Sequence, residues 1–295
     1  MAPGGTEVEE KRVFLPMLRS FLRAIGRTPL AMAGLVTVLI LGFTAVAAPW
    51  LAPYDPSEFD RARVYLAPSA AHWLGTDGAG RDLFSRLLFG TRVSLAVGFV
   101  SMTIAILIGT FLGALAGYYG GFVDGFVMRL VDVMLCFPSM FLILAVIAFV
   151  GPSIWNVMIV IGLTGWMSVC RLVRAEFLSL RERDYVAAAE ALGAGPLRII
   201  FRHLLPNALA PVLVATVLGV AGAILTESAL SFLGLGVQPP VPSWGNLLAD
   251  GWSSMDVAWW LSVFPGLAIT VAMLAYNLFG EGLRDALDPR LTVDE

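Results

Sequence analysis

The chain has 295 residues, of which 58% are hydrophobic and only 14% are charged, and its formal net charge at pH 7 is −3. A soluble domain carries about 25% charged residues, so this composition excludes an ordinary soluble protein and favours an integral membrane protein. The slightly acidic charge also excludes the basic surface typical of nucleic-acid-binding proteins, and no nucleic-acid partner is expected.

Long apolar segments predict the membrane-spanning helices, because about 20 consecutive apolar residues are enough to cross a bilayer. Six such segments lie at 29–50, 93–117, 128–150, 154–172, 208–232 and 258–280. The first could be mistaken for a signal peptide, since Ala45 and Ala47 resemble a cleavage site. The polar stretch before it is long for a signal peptide and five more spans follow, so we interpret it as an uncleaved span. The predicted fold is therefore an all-α integral membrane protein with six transmembrane helices.

Lys and Arg residues predict the orientation, because short cytoplasmic segments are enriched in them. Most of the 19 basic residues lie on one side if both termini are cytosolic. This arrangement makes 1–28 and 284–295 cytoplasmic and places the Arg-rich loop 173–207 on the same side. The loops 51–92 and 233–257 are then extracytoplasmic.

The second span carries small residues spaced by four: Ala105, Gly109, Gly113 and Gly117. A ridge without bulky side chains lets another helix approach closely in lipid. The partner helix could belong to this chain or to a second membrane subunit, and the motif alone does not separate these alternatives.

Two acidic residues lie inside apolar spans, where charges are costly and usually face the bundle interior or a water-filled path. Glu227 and Asp132 are therefore candidates for a translocation path. The structural alternative is a carboxyl group hydrogen-bonded to Ser or Thr, or, for Asp132, paired with Arg129. For Glu227 both interpretations stay open, whereas the structural one is preferred for Asp132.

Residues of the kinds that form catalytic and metal sites are sparse. The chain has no HExxH, GxSxG or GxxxxGK[ST] motif, which excludes the commonest metalloprotease, hydrolase and phosphate-loop signatures. His72 and His203 are isolated and are interpreted as polar surface residues. Cys136 and Cys170 are interpreted as small core residues. No catalytic residue, bound cofactor or metal site is predicted on this chain.

The polar segment 171–206 is the most informative part of the sequence. Two apolar stripes with helical spacing lie within it, namely Tyr185, Ala188, Ala189, Leu192 and then Leu197, Ile200, Phe201, Leu204. Gly193 and Gly195 separate the stripes, so the pattern predicts a helix-turn-helix. It can be a docking surface for another protein, or two helices lying on the membrane with Arg198 and Arg202 toward lipid head groups.

The same segment resembles the "EAA" loop of ABC importer permeases. The residues that align with this loop are Ala187, Ala188, Ala189, Gly193, His203, Leu204, Leu205 and Pro206, and two of them depart from the family pattern. Ala187 stands where the family has glutamate, and His203 stands where it has isoleucine. Three further stretches, 21–55, 72–95 and 226–247, narrow the resemblance to the C-type permease subunit of dipeptide, oligopeptide and nickel importers. It extends over nearly the whole chain beyond the first 20 residues.

The resemblance implies type I importer architecture. The segment 29–50 would be the N-terminal helix typical of oligopeptide permeases, and 93–283 would be the five-helix permease core. This chain would form half of a pore in a bacterial or archaeal cell membrane, for peptides or a related solute such as nickel or glutathione. The implied partners are a homologous B-type permease, two ATPases that carry ATP and Mg²⁺, an extracytoplasmic binding protein and the lipid bilayer.

The resemblance also implies a coupling helix within 173–207 that contacts one ATPase. The residues assigned to this contact are Tyr185, Ala187, Ala188, Ala189, Glu190, Gly193, Leu205 and Pro206. Glu190 is expected to replace the missing glutamate, and Gly193 to permit a tight turn with positive φ. Pro206 is expected to end the second short helix before the fifth span.

Two other functional classes are weighed against this one. An ion-coupled secondary transporter would use Asp132 and Glu227 as ion sites, but such proteins often show internal repeats and none is visible here. A membrane-embedded enzyme is disfavoured by the missing motifs. In the outer loops, Trp259 and Trp260 are interpreted as an interfacial belt, and 51–92 and 238–242 as candidate contacts for a binding protein.

Overall fold

The computed structural model of the protein describes residues 28–287. The predictions for 1–27 and 288–295, including the prediction that both termini are cytosolic, lie outside the described residues. The described helices are α1 Pro29–Leu51, α2 Leu83–Tyr119, α3 Gly121–Leu135, α4 Ser139–Val150, α5 Ile154–Arg181, α6 Asp184–Ala191, α7 Pro196–Phe232, α8 Trp244–Trp252 and α9 Trp260–Leu287. The predicted all-α membrane class is confirmed.

Five helices are long and apolar enough to cross a membrane: α1, α2, α5, α7 and α9. The predicted third span is not one straight helix, because α3 and α4 meet at a bend of 83°. Pro138 stands at this break, just before α4. Proline lacks a backbone N–H and disfavours helical geometry at the preceding residue, so the helix ends there.

Helix α2 begins at Leu83 rather than at 93, so it takes ten residues from the predicted outer loop. Asp82 caps it, since its carboxylate accepts hydrogen bonds from the Ser85 backbone N–H at 2.8 Å and the Ser85 hydroxyl at 2.7 Å. Ser85 and Arg86 are buried although they are polar. Hydropathy therefore gives no sign that this first part of the helix exists.

The small-residue ridge of α2 packs against α5 of the same chain, which decides between the two alternatives left open by the sequence. A Cβ atom added at Gly109 would lie 2.6 Å from the Val169 Cβ. One added at Gly117 would lie 2.6 Å from the Phe177 Cβ. Because the helices are this close, glycine is required for the α2–α5 contact.

Helix α1 is packed into the bundle through its own small residues. A Cβ added at Gly34 would meet the Phe279 backbone N at 2.7 Å, and Ala31 lies against Gly282. The opposite face of α1 exposes large apolar residues such as Phe43. The helix therefore contacts α9 on one side and presents an apolar face suited to lipid on the other.

The loops 52–82 and 233–259 pack on one another at one end of the bundle, and we call them the loop layer. The Trp260 indole N–H donates to the Thr76 carbonyl at 3.2 Å, and the Tyr65 and Ser254 hydroxyls lie 2.9 Å apart. Trp260 is buried, so its assignment to an interfacial belt is wrong. It was misassigned because its neighbours come from a distant loop.

Two further single-residue predictions are wrong. His72 is buried and its Nδ1 lies 2.9 Å from an Asp82 carboxylate oxygen, so it is not a surface residue. Cys136 is exposed at the α3–α4 break, whereas Cys170 is buried as predicted. In both wrong predictions the tertiary surroundings override what the neighbouring sequence suggests.

Candidate functional site

The helix-turn-helix predicted from the sequence is formed by α6, a glycine turn and the start of α7, and we call residues 184–206 the elbow. Gly193 has a φ of 82°. Its backbone N–H donates to the Glu190 carbonyl at 2.9 Å, and that of Ala194 donates to the Ala189 carbonyl at 3.0 Å. These two bonds are the Schellman pattern that closes helices at a left-handed glycine. The turn is therefore fixed by its backbone, as the Gly193 prediction requires.

Pro206 does not end the second helix of the elbow, contrary to the prediction. Residues Ile199–Leu204 form a π-helical segment, and the chain continues as helix to Phe232. The Leu205 backbone N–H donates to the Ile200 carbonyl, five residues earlier. A π turn widens the helix locally, so the proline is accommodated without a break.

The two predicted apolar stripes of the elbow are only partly buried. Val186, Ile199, Ile200 and Leu204 belong to a cluster that packs on α5 residues, Phe177 among them. Four other large residues are exposed, and we call them the elbow patch: Tyr185, Leu192, Leu197 and Phe201. Leu192 is 90% exposed. An apolar side chain so exposed next to a rigid turn is typical of a surface that another molecule covers.

The remaining residues assigned to coupling divide between exposed and partly buried positions. Ala187, Ala188 and Glu190 are exposed on α6, and Ala189 is half-buried. Leu205 lies farther along, where α7 enters the bundle, and is packed against the cluster beneath the elbow. The structure thus brings α6 and the glycine turn together as one surface. Leu205 and Pro206 lie farther along the chain, where α7 enters the bundle.

A groove of about 510 Å³ runs between α2, α4, α5 and α7, and we call it the central groove. Its walls are Ser101, Met102, Ser139, Ile143, Ile161, Thr164, Gly165, Ser168, Val169, Leu172, Ala215, Gly219, Gly222, Ala223 and Thr226. None of these residues is ionisable. The volume lies within the range of about 300–1,000 Å³ that is usual for sites of small molecules.

The structure places Glu227 next to the central groove rather than on its wall. The side chain is fully buried, and Oε1 accepts hydrogen bonds from the Ser231 hydroxyl at 2.6 Å and the Ser243 hydroxyl at 2.8 Å. Ser243 caps α8 through a reciprocal capping box with Asn246. Glu227 therefore joins α7 to the loop layer, as in the structural alternative weighed above.

Replacing Glu227 with alanine is expected to lower the stability of the folded chain by about 2–4 kcal/mol, because two buried serines lose their acceptor and a cavity remains. Glu227→Gln is the matched control, since its amide oxygen can still accept both bonds. The midpoint of thermal unfolding in detergent measures both variants. Equal midpoints for the two variants would contradict this role.

Asp132 forms an ion pair with Arg171 of α5, at 2.5 Å, and not with Arg129 as predicted. Both side chains are about half exposed. A second pair on the same two helices joins Asp124 to Arg174 through two hydrogen bonds, one of them 2.6 Å long. Together the pairs attach α3 to α5. The partner was missed because Arg171 is distant in sequence and Arg129 is only three residues away.

Residues 109–293 match the family described as the binding-protein-dependent transport system inner membrane component. This chain belongs to that family. Residues 17–68 also match the N-terminal transmembrane domain of oligopeptide transport permease C. The protein is therefore a multi-pass inner-membrane permease subunit of an ABC importer, and its family is a non-catalytic membrane component.

Relatives of this permease match it over almost its entire length. It is 44% identical to the di/tripeptide transport system permease protein DppC of Pseudomonas aeruginosa, over 95% of this chain and 94% of that protein. It is also 44% identical to the glutathione transport system permease protein GsiD of Pectobacterium atrosepticum, over 96% and 94%. The family predicted from the elbow is confirmed.

The fold of the permease is that of type I importers. A chain of the inward-facing MetNI methionine ABC transporter superposes with a TM-score of 0.54 at 19% identity, covering 70% of this chain and 98% of that one. At this identity the likeness shows the fold alone. The predicted type I architecture is thereby confirmed.

Proposed function

We propose that this permease forms half of a translocation pore for di- and tripeptides, with a homologous permease forming the other half. The names of the relatives support this substrate class, since one is a di/tripeptide permease and glutathione is itself a tripeptide. The central groove supports the half-pore, because its volume suits a small solute and its walls carry no charge. Nickel lacks comparable support, because no carboxylate or imidazole lines the groove.

The elbow is the proposed contact with one of two partner ATPases, which bind ATP and Mg²⁺ and hydrolyse the nucleotide. One observation carries this proposal: a single helix, α7, begins in the elbow and continues as a wall of the central groove. A displacement of the elbow can therefore reach the groove without crossing a flexible joint. The exposed elbow patch supplies the apolar surface for docking.

This function orients the chain in the membrane. The elbow faces the cytosol, where ATPases reside, and its Arg198 and Arg202 agree with the excess of basic residues on that side. The loop layer then faces outward, toward the substrate-binding protein. An elbow lying on lipid head groups is the alternative, but α6 buries Val186 in the bundle and exposes Glu190, which favours a protein partner.

The secondary-transporter alternative finds little support in the geometry. Its two candidate ion sites are Glu227, which is hydrogen-bonded to serines, and Asp132, which is paired with Arg171. Neither residue lines the central groove. Both acidic residues instead connect helices and loops of the same chain.

Reconstitution in proteoliposomes tests the proposed function. The complete set of permease, sister permease, two ATPases and binding protein should take up labelled dipeptide only when ATP is present. Omission of the ATPases should abolish uptake. Uptake by this chain alone, driven by an ion gradient, would overturn the proposal.

Glu190 is the proposed charged contact that replaces the glutamate absent at position 187. Glu190→Ala is expected to weaken binding of the ATPase about 1.4- to fivefold, since an exposed ion pair contributes about 0.2–1 kcal/mol. Asp256→Ala, in the loop layer, is the control and should bind normally. Unchanged affinity of Glu190→Ala in a titration of ATPase against detergent-solubilised permease would remove Glu190 from the interface.

A further inference from the structure

One wall of the central groove is a line of small residues on α7. Ala215, Gly219, Gly222 and Thr226 recur every three or four residues, so they share the face of α7 that lines the groove. Opposite them, α5 contributes Thr164, Gly165 and Ser168. The distance between α5 and α7 and the size of the side chains on the two helices therefore determine which solutes can pass.

Gly222 differs from its neighbour Gly219. A Cβ added at Gly219 would collide with the terminal methyl carbon of Met102, so the Met102 side chain would have to move. A Cβ added at Gly222 would meet no atom within 4 Å, and Gly222 is exposed to the groove. Its φ is not in the positive range that favours glycine. Neither packing nor backbone geometry requires glycine at this position.

A glycine inside a helix lowers helix stability by about 1 kcal/mol relative to alanine. At Gly222 no contact in the described chain compensates for this loss. The absence of a side chain at this position leaves empty space in the groove. Gly42 of α1 is equally open, with no atom within 4 Å of an added Cβ, but it does not line the groove. The two glycines therefore differ in position rather than in local packing.

The chemistry of the wall indicates that it distinguishes solutes by width rather than by charge. The Thr226 hydroxyl already donates to the Gly222 carbonyl at 2.8 Å, and the Thr164 hydroxyl donates to the Val160 carbonyl at 3.0 Å. No lining residue offers a charge to the amino or carboxyl end of a peptide. Walls without charge would bind a solute only weakly, and weak binding suits a path that the solute must also leave.

We propose that Gly222 sets the width of the substrate path and thereby limits the bulk of the side chains on the peptides that this permease passes. The inference rests on the proposed function, because it takes the central groove as part of that path. A leucine at 222 would place an isobutyl group in the groove, and its Cβ would meet none of the described neighbours. Bulky substrates should be excluded first.

Uptake of dialanine and diphenylalanine by the complete importer in proteoliposomes tests the inference, because these dipeptides have equal length and differ in side-chain bulk. Gly222→Leu is expected to lower diphenylalanine uptake at least about tenfold, since a single methylene can change selectivity by 10–200-fold in a shaped pocket. Dialanine uptake should fall less than about threefold on the same scale. Gly42→Leu is the matched control and should transport both peptides at the wild-type rates.

Gly222→Ala and Gly222→Val extend the test to smaller side chains in case the leucine variant does not assemble. The ratio of diphenylalanine to dialanine uptake should fall from glycine through alanine to valine. An unchanged ratio across the series, or an equal loss for both peptides, would overturn the role of Gly222. Failure of the wild-type importer to move either peptide would instead overturn the proposed function.

Discussion

Replacing Gly113 with leucine is expected to remove most of the folded permease from the membrane. A Cβ at this position would lie 2.6 Å from the Cys170 carbonyl oxygen and 2.9 Å from the Val173 Cβ. The nearest atom belongs to the backbone of α5, which cannot move aside as a flexible side chain can. Overpacking of this kind costs about 3 kcal/mol or more. Membrane abundance and the midpoint of thermal unfolding in detergent measure the loss.

Gly125→Leu is the matched control for Gly113→Leu. Gly125 also lies in a helix, and a Cβ there would meet nothing within 4 Å. It should therefore insert and unfold like the wild-type protein. If Gly113→Leu were as abundant and as stable as Gly125→Leu, the α2–α5 contact would not be the tight one described.

Gly193→Val is expected to lower substrate-stimulated ATP hydrolysis about tenfold while membrane insertion stays normal. Valine is strained at a φ of 82°, where a residue with a side chain loses about 1–2 kcal/mol. A loss of 1.4 kcal/mol corresponds to a tenfold smaller equilibrium constant for forming the native turn. Among the described residues, an added Cβ meets no neighbour, so strain in the backbone is the expected cause of the loss.

Gly195→Val separates backbone strain from the simple addition of a side chain. Gly195 has a φ of −72° and an extended ψ of 163°, which valine adopts readily, and its added Cβ also meets nothing. The assembled importer carrying Gly195→Val should hydrolyse ATP at the wild-type rate when binding protein and peptide are added. A wild-type rate for Gly193→Val would count against the elbow as the coupling element.

The sequence was sufficient to predict the five straight spans and the position of the elbow. Spans are recognisable because a run of apolar residues has the length of a bilayer, whatever the residues contact. Gly193 was recognisable because left-handed backbone at a helix end strongly favours glycine. These features depend on local chemistry, which the sequence contains directly.

Helix ends and buried faces could not be predicted in the same way. The start of α2 carries Ser85 and Arg86, whose burial depends on the loop layer packed around them. In the elbow, Val186 is buried and Leu192 is exposed because α5 covers only one side of the pair of helices. Hydropathy cannot tell which apolar residue faces the bundle and which faces a partner.

The central groove was also not predicted from the sequence. Its residues are small or uncharged and come from four helices, so no spacing within one segment identifies them. The residues predicted for a translocation path were instead the acidic ones, Glu227 and Asp132, and the structure places both outside the groove. An uncharged groove of this kind is visible only when the helices are assembled.

Helix α7 is attached at both ends. Near one end it carries the elbow, and near the other Glu227 holds Ser243 of the loop layer. A helix that tilts about its middle moves its two ends in opposite directions. The inward and outward openings of the importer would then be mutually exclusive, because the same tilt of α7 that opens one side closes the other.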